Sequence, residues 1–401
     1  RDDADLLLYL VDASQSPDAA GYVAPEMELL GWIGKPVIVL LNQLGAPVVN
    51  GSDDDAARWR RALSGVAIVR AVLPLDAFAR CWVQELTLLR AVEQALPAER
   101  QTAMVRLGAA WRDRREATFL AAMREIAASV ARTAVATETV ADRADLKTRL
   151  RQAGAAIGIG KADDTPTALA QRALAERLDA EARTDTLALI RLHGLGGSAE
   201  RDIVERLAAA YDLRLRIDEA NAAVWGGAVT GALMGLKADV LSGGLTLGGG
   251  LLTGGILGAL GGAGIARGVN LVRGTDRSVV AWKGETLDAV VDAALLRYLA
   301  VAHFGRGRGD WTQAEAPAHW KDVVADALAP HRAALAALWA ERAIVAGDDG
   351  ADEAAVDALA ARIEPIVRDA AWQALRRLYP QADMAGVAPE NARAAATATP
   401  P

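Results

Sequence analysis

The sequence holds a single cysteine, Cys81, among 401 residues. One thiol excludes an internal disulfide and a thiolate metal cluster, and it fits a reducing cytoplasm. Aromatic residues make up only 4% of the chain, so Ala, Leu and Val must build the core, which suits closely packed helices. The four histidines, His193, His303, His319 and His331, show no metal-ligand spacing. Basic residues do not outnumber acidic ones: the net charge is −7, which argues against a nucleic-acid partner. The first fifteen residues carry four Asp and no basic stretch beyond Arg1, which is not the pattern of a signal peptide. Finally, no GxxxxGK[ST] phosphate loop occurs anywhere. The segment "AAIGIGKA" (155–162) has Gly160-Lys161, but Ala155 replaces the first glycine and Ala162 the hydroxyl, so it has no phosphate role.

What is present begins with three apolar runs. "DLLLYLVD" (5–12), "PVIVLLNQ" (36–43) and "VAIVRAVLPL" (66–75) read as buried strands. Helical spacing fills the gaps. One helix runs through Met27, Leu30 and Ile33 to a stop at Lys35-Pro36. A second follows Ser52 and three aspartates, and a third ends before Pro97. Alternating strand and helix over about a hundred residues predicts a parallel α/β sheet. From Glu99 to Leu192 the chain reads as Ala-, Arg- and Glu-rich helix with no convincing strand. A further helix is expected at 199–218. "DRSVVAWKG" (276–284) reads as a short strand or a connector, followed by helices at 285–303, 318–345 and 352–378.

The stretches "ADLLLYLVDAS" and "GYVAPEMELLGWIGKPVIVLLNQLG", with the glycine-rich segment downstream, carry a family resemblance. The chain resembles bacterial GTPases of the Era/TrmE type that bear the C-terminal domain of unknown function 3482. The resemblance implies a partial Ras-like P-loop sheet of three parallel strands at 1–98. A mostly all-α domain would span 99–385, with a disordered tail at 386–401. It also implies that Asn42, Gln43 and Gly45 form the base-reading motif of a guanine nucleotide site, with GTP and Mg as cofactors of the intact protein. The usual aspartate of such a motif accepts two base N–H bonds, and a charge-assisted bond is worth about 1.5–3 kcal/mol. Gly45 offers no such acceptor, so guanine selectivity should be weak. The reading without a ligand is that Asn42 simply ends a strand.

In the resembling proteins the phosphate loop and both switches precede the strand that starts here at Asp5. This chain opens on Arg1, so the expectation is a GTPase domain without its first part and with a bare sheet edge. Such a chain should bind nucleotide poorly and hydrolyse none.

Residues 226–268 hold sixteen of the 37 glycines. Gly227, Gly231 and Gly235 recur every fourth residue, as do Gly250, Gly254, Gly258 and Gly262, giving two small-residue stripes. Their mirror arrangement predicts an antiparallel helical hairpin within 220–268 that turns near "LSGGL". Val240 to Ala266 carries no charge and would span about 40 Å as a helix, enough to cross a hydrocarbon core. A hairpin in the inner membrane therefore competes with a soluble one. The ten tryptophans are spread over separate helices and read as core anchors. The expected function is a nucleotide-dependent switch coupled to a helical effector domain. The alternative is a non-enzymatic helical interaction or membrane-associated protein.

Overall fold

The computed structural model describes residues 3–43, 55–75, 81–140, 166–195, 269–273, 278–303, 319–342, 353–380 and 382. The glycine-rich hairpin, the 199–218 helix and the tail lie outside them. The chain divides into two compact units. The first comprises Arg1–Phe119, Ala302–Gln313 and Leu375–Pro401, and the second Leu120–Val301 and Ala314–Ala374.

The first unit opens with β1 (Leu7–Asp12), α1 (Val23–Ile33), β2 (Val37–Asn42), α2 (Asp55–Leu63), β3 (Val69–Pro74) and α3 (Trp82–Ala95). The strands form a parallel sheet in the order β1-β2-β3, as the three apolar runs predict. β2 is buried along its whole length, which is why its sequence is an unbroken apolar run rather than an alternation. Lys35-Pro36 does end α1: Gly34 caps it at φ 72°, a left-handed backbone that glycine adopts without steric cost, and donates its N–H to the Leu30 carbonyl.

The two faces of the sheet are covered unequally. On one, Val11, Val37, Val39 and Leu41 pack with Met27 of α1 and Trp59 of α2. Ala56, Trp59 and Leu63 recur on one side of α2, and all three are buried. On the other face Ile38 and Leu40 meet Leu88 and Val92 of α3. Strand alternation puts Leu8 and Leu10 of β1 on that same face, yet they remain 52% and 54% exposed. β1 pairs only with β2 among the described strands.

α4 (Ala98–Val135) carries the chain from the first unit into the second. The second unit continues with β4 (Thr137–Thr139), α5 (Pro166–Leu192), β5 (Val269–Arg273), β6 (Ser278–Trp282) and α6 (Gly284–Ala302). Then come α7 (His319–Leu328), a 3₁₀ turn (Ala329–His331), α8 (Arg332–Glu341) and α9 (Glu353–Leu378). Met123, Ile126, Ala127, Val130, Ala131 and Ala134 form a buried helical stripe on α4, with alanines allowing close approach.

Two expectations change here. The stretch expected to be helical up to Leu192 contains β4, which belongs to an antiparallel sheet in the order β4-β6-β5, and "SVVAW", read as a strand or a connector, is its strand β6. The helix expected at 318–345 is two helices, because Pro330 has no N–H for the ladder and the chain tightens into a 3₁₀ turn there.

A buried ion pair links α5 to α6. Arg297 Nη2 lies 2.8 Å from Asp185 Oδ2, and the two side chains are 3% and 0% exposed. Burial pushes the Asp185 carboxyl up from its ordinary range, and the Arg297 charge opposes that push.

Candidate functional site

Parallel strands bring their C-terminal ends to one rim of a sheet, where the chain turns into loops. In open α/β sheets ligands bind at that rim. Here Asp12 and Asn42 are register partners at the ends of β1 and β2, and β3 ends at Pro74. Two backbone bonds tie the departing loops together. Ala13 N–H donates to the Asn42 carbonyl at 2.8 Å, and Leu75 N–H to the Leu41 carbonyl at 3.0 Å.

Asn42 is buried, 8% exposed, at the end of a fully apolar strand. Gln43, exposed beside it, has φ 60° and is the one non-glycine residue with positive φ among the described residues. A left-handed turn costs an ordinary L-residue about 1–2 kcal/mol, so the surroundings must hold it in place. The structure thus puts Asn42 and Gln43 together at the rim. Gly45 lies outside the described residues, as do Gly227, Gly231, Gly235, Gly250, Gly254, Gly258 and Gly262.

Sequence reasoning passed over Asp12 as a site residue. Its Oδ1 accepts from the Ser14 N–H (3.1 Å) and the Ser14 hydroxyl (2.6 Å), while Oδ2 accepts from Gln15 Nε2 (3.2 Å). The Ser14 bonds hold the Asp12 carboxyl below the usual carboxylate range. The Asp12 N–H donates to the Tyr22 hydroxyl at 3.4 Å, just ahead of α1. An Asp closing an apolar run and followed by Ala-Ser was the available signal, since Asp at such a position bonds its own backbone two residues on.

The remaining chemically suggestive residues are structural. Cys81 is fully buried and burial pushes its thiol up to about 12, which leaves it unreactive. Trp59, Trp82, Trp282, Trp320, Trp339 and Trp372 are core residues. His331 Nε2 meets Asp369 Oδ2 at 2.9 Å, and His193 Nδ1 meets the Leu189 carbonyl. Among the described residues no group of His, Cys, Asp and Glu could hold a metal ion.

The second unit has a cleft of about 470 Å³ between the end of α4, α5, β6 and the start of α9. Its arginines are already matched. Arg132 bridges Glu125 and Glu181, and Arg177 joins Glu138 and the Thr137 carbonyl. Both guanidinium charges are already paired with carboxylates, so the rim is the better candidate.

Comparison with known proteins adds one finding. Residues 215–361 match the family model described as a domain of unknown function, DUF3482. That stretch takes in the glycine-rich segment, β5, β6, α6, α7, α8 and the start of α9. No curated protein matches the chain. No solved structure matches it either. No helix among the described residues is long and apolar enough to cross a membrane.

Proposed function

We propose that the parallel sheet of the first unit is part of a GTP-binding domain of the Era/TrmE type. On this reading the chain belongs to a nucleotide-dependent switch coupled to a helical effector domain. The observation that carries the reading is the rim of the sheet: Asn42 ends the central strand and Gln43 turns off it in a left-handed conformation. Strain of this kind concentrates at ligand sites. The edge of β1, which pairs with no other described strand, supports a further parallel strand beside it. The DUF3482 match supports the C-terminal half of the resemblance.

At the rim, Asn42 and the stem of Gln43 suit the base of a purine nucleotide. The triphosphate and Mg ends have no counterpart in these residues, because the sequence has no phosphate loop. Nucleotide affinity of this chain is therefore expected to be low, and with Gly45 at the third motif position it should favour guanine only weakly over adenine. Calorimetric titration with GTP and ATP in the presence of Mg, on this chain and on a chain extended upstream, tests the reading. Tight binding that appears only in the extended chain supports it, and an extended chain that takes up neither nucleotide refutes it.

A membrane role is the second part of the proposal, motivated by the 27 uncharged residues from Val240 to Ala266. Flotation with lipid vesicles checks it: recovery of all the protein at the bottom of the gradient removes the membrane from the account.

A further inference from the structure

We infer that Asp12 is the positioning residue of the rim, acting through the β1–α1 loop to hold the Asn42–Gln43 turn in place. A left-handed Gln43 persists only where its neighbours over-determine it, and here two backbone bonds hold the two residues just before it. One of them, from Leu75, starts just past the end of β3. The other, from Ala13, starts in a loop that must first be fixed.

Asp12 does the fixing. Both of its carboxylate oxygens are engaged within the next three residues, by Ser14 and by Gln15. Its own N–H reaches Tyr22, so the loop is anchored at both ends. The Ala13 N–H that meets the Asn42 carbonyl therefore sits in a set geometry, and movement of residues 13–22 is transmitted to the turn after β2. The consequence for ligand binding rests on the nucleotide reading above. The mechanical coupling itself does not.

An Asp that merely ended a strand would, when removed, disturb only its own turn. Hydrogen exchange read by peptide mass spectrometry separates the two cases in the full chain. With Asp12→Ala, exchange should rise about tenfold, the factor for one lost hydrogen bond, both at residues 13–16 and at residues 41–43. Asp12→Asn keeps an acceptor for the Ser14 N–H and should restore most of the protection. If exchange rises at 13–16 alone, or if Asn behaves like Ala, the positioning role is wrong. Titration of the wild-type and Asp12→Ala chains with GTP is the separate arm. Coupled exchange while the chain extended upstream takes up no GTP leaves the positioning role standing and removes the nucleotide reading.

Discussion

The two units specify their cores by different means. In the first, three apolar strands and the helices beside them do almost all the work, and one flank of the sheet is left uncovered. In the second, an alanine-rich helical core is locked by a buried ion pair, and Arg332 joins Asp292 on α6 at 2.6 Å. Apolar burial is non-directional and tolerates a missing neighbour. A buried charge does not, because removing either partner leaves the other desolvated and unmatched.

Deleting one charge from the second unit should produce the largest effect. Asp185→Leu or Arg297→Met alone is expected to destabilise that unit by about 3–5 kcal/mol, whereas the double substitution should lie near wild type or above it. Urea denaturation of the four proteins provides the cycle. The pH dependence of Arg297→Met sharpens it. Without its cation the buried Asp185 folds best protonated, so stability is present at low pH and is lost as pH rises through the raised carboxyl value. Single costs that simply add up in the double substitution would show that the pair contributes nothing specific.

Next comes the sheet. Leu41→Ala, at a position with no exposure in the central strand, should cost about 2–5 kcal/mol in the same denaturation experiment. A smaller effect belongs to the turn. Gln43→Gly removes the left-handed strain and should raise stability by up to about 1 kcal/mol, since glycine takes positive φ freely. Smallest of all is Leu10→Ser on the uncovered flank, expected within about 0.5 kcal/mol of wild type. A loss comparable to that of Leu41→Ala would mean that something covers this face, and the contrast between the units would disappear.

Much of the first unit is legible in the sequence because a buried parallel strand leaves a local mark. "PVIVLLNQ" is continuous apolar residue, and the structure buries all of Val37–Asn42. Only β6 of the second unit's small sheet leaves such a mark, in "SVVAW". β4 is three residues at the end of a 38-residue helix, and its Thr137 pairs with Ala281, far along the chain. Strand formation there is decided by tertiary context that a local window does not contain. The ion pair is hidden for the same reason, since Arg297 lies 112 positions after Asp185. At the rim, Asn42 was accessible through the resemblance. The Asp12 turn had a signal in its Asp-Ala-Ser ending that was passed over, but the left-handed Gln43 had none, because conformational strain has no signature in residue type when the residue is a glutamine.

The most direct measurement is hydrogen exchange, on the chain extended upstream, with and without a large excess of GTP and Mg. The account predicts slowed exchange at residues 13–15 and 41–43, with the second unit unchanged. Protection that appears only among the helices of the second unit, or none at the ends of β1 and β2, would contradict it.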